Sequence, residues 1–299
     1  MNLTAQSICD YLEHLRVSRN PSTHTLAAYG ADLRSFRSFQ SGREDDDAPG
    51  DTIMAYISHL VGIGAAARTI RRRVACLRGY YRDLVRRKVL PESPFIRLEL
   101  QLPRAKSLPR AISRREAKLL ASSAWQQCRG SRSAARIPPF AVAVLVLISS
   151  GVRVGELTAL RSDDFHHDTG AMRVHGKGQR ERFVFLVDTG LRRLVGKLSD
   201  ARAGLSLFGH GEARWSTDWV RRSLREFAAT AGVTRRVTPH MLRHTCATLL
   251  LENGVDLRFL QRLLGHENIA TTAIYAHVGD AGLQRALEGA GLLTRLKAA

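Results

Sequence analysis

Apolar residues recur at three- and four-residue spacing through most of this chain, the period of helices with one buried side. Ile8, Leu12 and Leu15 make one stripe. Leu26, Tyr29, Leu33 and Phe36 make a second, with Ser22 placed as its N-cap. A polar stretch, residues 44–51, precedes a third stripe of Ile53, Tyr56, Ile57 and Leu60, for which Asp51 is the expected cap. A fourth helix over 65–88 carries Ile70, Val74, Leu77, Tyr81 and Leu84. The first 90 residues therefore predict a small helical bundle.

Residues 91–110 hold Pro91, Pro94, Pro103 and Pro109 and read as an extended linker, basic at its end through Arg104, Lys106 and Arg110. Ser113 to Glu116, reading SRRE, is a capping box that opens the next helix. After Pro138-Pro139 the run from Phe140 to Ile148 is apolar all round. It predicts a buried central helix, although its β-branched content also suits a strand. A short helix near 154–160 follows. Period-2 alternation then marks strands at Ala171–His175 and Arg182–Val187, joined by a glycine-flanked turn at 176–180. From about 217 the pattern is helical again, and no repeat of 20 to 50 residues is visible.

Charge changes this picture. Lys and Arg outnumber Asp and Glu by 46 to 27, a formal net charge of +19, and such a balance points to a polyanion, nucleic acid before an anionic membrane. On the fourth helix the arc opposite the apolar stripe holds Arg68, Arg71, Arg72, Arg78, Arg82 and Arg86, with Asp83 the only acid between 68 and 88. Solvated faces usually mix signs, because opposite charges at i,i+4 support a helix. A one-signed arc fits phosphates better, so these six are candidate DNA contacts. Four scattered cysteines without a C-x-x-C pair predict neither a disulfide framework nor a zinc site, and Cys76 and Cys246 sit at apolar helical positions. The first fifteen residues lack a signal-peptide pattern, and no apolar run is long enough to span a bilayer. A cytoplasmic protein with no membrane partner is expected.

The C-terminal segment 238–278 concentrates the chemistry. Thr238 suits an N-cap and Pro239 the first helical position, which puts His240 in the first turn and Arg243 one turn on. Helix N–H groups beside a guanidinium fork favour a phosphate. A second helix follows, capped by Asp256, with Leu257, Leu260, Leu263 and Leu264 as its apolar side, and stops at Gly265-His266. Asn268 then caps a third, which carries Tyr275. His240 and His244 have a zinc-compatible spacing but lack the glutamate and thiolates of a metal site, so no metal is expected. Upstream, Arg153 lies just past Gly151, with Glu156 three residues on. Lys177 sits in the hairpin turn. Arg180 and Arg182 flank it as further candidate DNA contacts. Taken singly, Arg153 reads as an ordinary ion-pair partner, Lys177 as a solvated turn residue and Tyr275 as core.

The five separated motifs occur in one order: Gly151-x-Arg153-x-x-Glu156-Leu157, Lys177 in HGKGQRERFVFL, His240-x-x-Arg243-His244, Leu264-Gly265-His266, and Tyr275. Together they resemble the tyrosine recombinase (phage integrase-like) family, in particular its short Xer-type members. Thr25, Tyr29, Asp32, Leu33 and Phe36 extend the resemblance into the N-terminal bundle. It implies a mainly α protein with a four-helix SAM-like core-binding domain (1–90), a linker (91–110) and a mostly helical catalytic domain (111–299) with a small antiparallel sheet. The two domains would form a C-shaped clamp on DNA.

The implied activity is site-specific recombination through a 3′-phosphotyrosyl intermediate and a Holliday junction, with no cofactor. Tyr275 is then the nucleophile and Arg153 and Arg243 the phosphate clamps. Lys177 is the general acid, His240 an acid/base, and His266 a phosphate hydrogen-bond donor. The partners implied are duplex DNA with a specific site and three further copies in a tetramer on two duplexes. The leucines of 281–298 would dock on a neighbour or fold back on their own domain, and the intermolecular choice is preferred. A second recombinase or a DNA translocase would be a further partner, and the setting would be bacterial and nucleoid-associated. Two alternatives remain from the residues: type IB topoisomerase-like relaxation, and DNA binding or bending without cleavage.

Overall fold

The structure is a computed structural model and describes residues 3–19, 21, 23–42, 48–102, 111–131, 133–176, 181–265 and 280–297. The chain divides into two compact units, residues 1–107 and 108–299.

The N-terminal unit is built from α1 (Ala5–Arg19), α2 (Thr23–Gln40), α3 (Pro49–Gly62) and α4 (Ala67–Arg86). Their stripes meet in one core, with Leu33, Phe36 and Ile53 fully buried beside Tyr56, Leu60, Ile70 and Leu77. Two buried tyrosines keep their polar tips paired, Tyr56 donating to Ser35 Oγ at 2.9 Å and Tyr80 to Ser7 Oγ at 2.8 Å, while the buried Tyr81 hydroxyl has no partner among the described residues. Ser22 lies outside the described residues. The start of α3 differs from expectation. Pro49 occupies its first turn after Ala48, and Asp51 sits inside that turn instead of capping it. The proline ring presets φ and lacks only an N–H that the helix could not use, while Asp51 meets the positive helix end. Downstream, Phe95 is buried in the same core and Leu98, Leu100 and Leu102 pack against it.

The C-terminal unit surrounds α6 (Pro139–Ser150). Helices α5 (Arg114–Cys128), α8 (Thr189–Ala201), α10 (Pro239–Glu252) and α13 (Leu292–Lys297) all pack on it, so every residue from Ala141 to Ile148 is buried. That enclosure explains a helix that is apolar all round and settles it against a strand. The capping box of α5 forms as expected, Ser113 Oγ accepting from the Glu116 N–H at 3.2 Å and Glu116 accepting from the Ser113 N–H at 2.7 Å.

A three-stranded antiparallel sheet follows α7 (Val154–Ala159), in the order β1 (Phe165–His166), β2 (Ala171–His175), β3 (Glu181–Phe185). Ala171 opposes Phe185 and His175 opposes Glu181, so β3 begins and ends earlier than its alternation suggested. The two-residue strand β1 was too short to be read from periodicity. Helix α8 was also missed, its Leu191, Val195 and Leu198 diluted by Gly190 and Gly196. Asp188 starts it by accepting from the Leu191 N–H at 2.9 Å. A short ladder of β4 (Gly209–His210) and β5 (Ala213–Arg214) leads to α9 (Thr217–Thr230), then to α10 and α11 (Leu257–Leu264).

The C-terminal leucines fold back on their own unit. They lie on two helices, α12 (Asp280–Ala290) and α13, separated at Gly291, whose φ of 49° ends the first. Leu283, Leu287, Leu293 and Leu296 are all buried in the core of their own unit. Lys297 ties the end down, 2.8 Å from Asp188 and 3.7 Å above the Trp125 ring. Among the described residues no helix is long and apolar enough to cross a membrane.

Candidate active site

Helix α6 ends at Gly151, in the left-handed region at φ 62°. A Cβ there would come 2.9 Å from the Leu264 side chain, so the position needs glycine for both its conformation and its neighbour. The chain then turns into α7, and Glu156 reaches back to the Arg153 N–H at 2.7 Å. This local bond makes Glu156 a helix-start residue, and the burial that follows makes it more. Its carboxylate is 6% exposed and also accepts from the Arg153 guanidinium at 2.8 Å.

Arg243 arrives from another direction. Thr238 caps α10 by accepting from the Met241 N–H at 3.3 Å, and Arg243 falls on the inner side of that helix, 7% exposed. Its guanidinium donates to the Gly151 carbonyl at 2.7 Å and to the Leu264 carbonyl. His240, three residues earlier, is exposed, its ring stacked 6.4 Å from that of His244.

The third arginine is Arg182 on β3. It forms two parallel bonds of 2.9 Å to the two Glu156 oxygens and a third of 2.8 Å to the Leu263 carbonyl. Arg153 donates to the Gly265 carbonyl at 3.1 Å. Three arginines thus take one each of the last three carbonyls at the end of α11: Arg182 on Leu263, Arg243 on Leu264, Arg153 on Gly265. A helix C-terminus leaves its final carbonyls without helical partners and is electronegative, so it is a natural place to hold guanidinium groups.

The electrostatics follow from that crowding. Three cations share one buried anion. Burial would push the Glu156 pKa up, but the hydrogen bonds and charges of Arg182 and Arg153 outweigh it and hold Glu156 below its ordinary value. Burial, and then repulsion from Arg153 and Arg182, depress the Arg243 guanidinium to about 10, still charged at neutral pH. Cys246, wholly buried beside Arg243, is pushed up to about 12 by burial and is an inert thiol. An arrangement with two positive charges in excess, in which Arg153 and Arg243 lean on backbone carbonyls and only Arg182 holds the carboxylate with both terminal nitrogens, can exchange the neutral acceptors of the first two for phosphate oxygens.

The sequence-expected residues divide into three groups. Arg153, Arg243 and Arg182 are brought together, and His240 shares a helix with Arg243. Lys177, Arg180, His266 and Tyr275 lie outside the described residues. The six arginines of α4 are all on exposed positions in the N-terminal unit, yet they are not alike. Arg72 pairs with Asp32, a buried carboxylate whose pKa burial raises against the pull of Arg72 and Arg73. Arg86 pairs with buried Asp83 at 2.7 Å. Arg71 reaches the Leu102 carbonyl at 3.4 Å and Arg78 lies 5.3 Å from the Phe95 ring centre. Arg68 and Arg82 make no ion pair among the described residues.

Sequence reasoning passed over two features. One is the Glu156–Arg182 link, which no local pattern announces. The other is a groove lined by Asp218, Arg221, Arg222, Arg225, Arg236 and Thr238, beside the start of α10. Its signal was present in the arginines of WVRRSLREF and TRRVTPH, where basic residues again outnumber acids. Among the described residues no group of three or more His, Cys, Asp or Glu side chains is placed to hold a metal.

A helical bundle, a larger helical unit with a small antiparallel sheet and a basic site that can exchange carbonyls for phosphate define a DNA-acting protein of integrase type. Comparison with known proteins gives the family directly. The phage integrase family matches residues 118–281, and the phage integrase N-terminal SAM-like domain matches residues 8–88. The tyrosine recombinase XerD of Caulobacter vibrioides is 34% identical over 304 residues, covering 96% of each chain. That of Listeria monocytogenes is 34% identical over 284 residues, 90% of this chain and 93% of the relative. The fold is also that of a lambda integrase tetramer bound to a Holliday junction, with a TM-score of 0.69 at 18% identity over 92% of this chain and 77% of that one. The chain belongs to the phage integrase family of tyrosine recombinases.

Proposed function

We propose that this protein carries out site-specific DNA recombination by the chemistry of its family, with both units gripping the duplex. The observation that carries the reading is the convergence of Arg153 and Arg243, ninety positions apart, on the end of the helix that leads to His266. Tyr275 attacks the scissile phosphorus through its phenolic oxygen, and the bond from phosphorus to the 5′-oxygen breaks. Arg153 and Arg243 hold the non-bridging oxygens and offset the charge that builds in the transition state. Lys177 gives a proton to the leaving 5′-oxygen, His240 takes up or returns the phenolic proton, and His266 hydrogen-bonds the phosphate.

One phosphodiester replaces another, so the step needs no external energy source. Attack by a partner strand's 5′-hydroxyl reverses it and exchanges strands. The full reaction uses four copies on two duplexes, and α12 with α13, docked on their own unit here, are the segment suited to exchange between copies. The arginines of α4 and the groove beside α10 supply sequence-independent grip on the backbone.

The test is covalent capture. Incubation with sheared genomic DNA of the source organism is expected to yield protein–DNA adducts at a specific site, and Tyr275→Phe none. Adducts from the Phe variant would overturn the nucleophile. Lys177→Ala is expected to cleave slowly on ordinary DNA but to recover when sulfur replaces the 5′ leaving oxygen; recovery absent, the general-acid role falls.

A further inference from the structure

Arg182 was expected as a DNA contact, yet all three of its guanidinium nitrogens have protein acceptors and its side chain is only 13% exposed. The strand explains this placement. Residues two apart share a face, and Arg182 lies on the side of buried Val184, while Glu181 and Phe183 face out. Arg153 differs: its side chain is 47% exposed and rests on one Glu156 oxygen and the Gly265 carbonyl.

We propose that Arg182 is a positioning residue of the recombination reaction: by gripping both oxygens of Glu156 it stops that buried carboxylate from capturing Arg153, which stays available to the phosphate. The inference rests on the functional reading above. Its physical basis is a competition. Glu156 is three residues from Arg153 and fixed by the Arg153 N–H, so their attraction is built into α7 and cannot be avoided. A bidentate arginine–carboxylate pair is the strongest match for each partner. Arg182 fills that geometry first and leaves Arg153 a single bond to one carboxylate oxygen. Remove Arg182, and the only guanidinium still bonded to Glu156 is that of Arg153, which is then turned toward both carboxylate oxygens and out of the orientation the transition state needs, while its charge stays beside the phosphate.

A second consequence follows from the Leu263 bond. Arg182 also packs 3.3 Å from the site of a Cβ on Gly265, a residue held at φ 63° just before His266. Arg182 therefore fixes the carboxylate partner of one clamp and the carbonyl row on which both clamps rest.

The experiment uses the full-length protein and a nicked duplex built on the site recovered by adduct capture. Arg182→Gln is expected to form the covalent adduct about 100-fold more slowly at saturating enzyme, the scale of losing one transition-state donor. Its DNA affinity and the slope of log affinity against log salt are expected to match the wild type. A direct phosphate contact would instead lower that slope by about one and overturn the proposal. An unchanged cleavage rate would also overturn it.

The distinguishing arm is the double variant. Arg182→Gln with Glu156→Gln removes the competing charge, and about ten-fold of the lost rate is expected to return. A purely structural role predicts that the double variant is slower than either single one, and that result would sink the idea. If Arg182→Gln does not fold, Arg182→Lys carries the test. It keeps the charge but loses the fork, and slower cleavage at unchanged salt slope supports the proposal, while a wild-type rate or a reduced slope overturns it. Failure of the wild type to form any adduct would count against the functional reading and not against Arg182 alone.

Discussion

Arg243 donates a 2.7 Å hydrogen bond to the carbonyl of Gly151, 92 positions away, and so fastens α10 to the residue that ends α6. The bond exists because Gly151 turns its backbone through the left-handed region, aiming that carbonyl at the guanidinium.

Gly151→Ala is therefore expected to cost about 2 kcal/mol or more, from the left-handed conformation and the approach to Leu264. The melting temperature should fall by several degrees, and adduct formation should slow even where folding is complete. A variant as stable and as fast as the wild type would show that neither the turn nor the carbonyl matters.

Glu156 links stability to acid pH. Its folded pKa lies below the ordinary 4.5, so it stabilises the fold fully above about pH 4.5. That contribution disappears as pH falls through the lower folded value, because the unfolded chain then binds the proton more readily. Urea midpoints at pH 7, 5, 4 and 3 should show a steeper acid loss for the wild type than for Glu156→Gln. At pH 7 the Gln variant should be about 3 kcal/mol less stable, since it strips two buried arginine contacts of their charge. Parallel acid profiles would refute the assignment.

The arginines of α4 should separate by salt. Arg68→Ala is expected to lower the slope of log DNA affinity against log salt by about one, with no change in melting temperature. Arg72→Ala should instead destabilise the N-terminal unit by about 1–2 kcal/mol after solvent screening, because it leaves buried Asp32 with Arg73 alone. Equal effects of the two on both measurements would erase the distinction.

Leu293 tests where the C-terminal segment docks. Buried at 3% exposure in its own unit, its replacement by Ala should cost about 2–5 kcal/mol in dilute, DNA-free protein. A segment docked only on neighbours would show no such loss in a monomer.

Much of the fold was legible because helices announce themselves locally. The stripes through Leu33, Phe36, Ile53 and Leu77 became the N-terminal core, and the SRRE box, Thr238 and Asp256 all start helices as their side chains dictate. Local rules failed where surroundings decide. Leu257 belongs to an apolar periodicity yet is 55% exposed, since Leu260, Leu263 and Leu264 already fill the buried side of an eight-residue helix. The run from Ala141 to Ile148 had no polar face to betray its period, and only the helices packed around it show why.

The sequence by itself determined what short-range forces control: where helices begin and stop, which faces are apolar, how much charge the chain carries, and the ordered motifs that place it in its family. Tertiary structure decided which charges meet. Arg153 and Arg182 share Glu156, and with Arg243 they take the last carbonyls of α11, only because α6, α10, α11 and β3 pack as they do. Burial then gives those contacts their weight, since a carboxylate removed from water must be answered by cations wherever in the chain they originate.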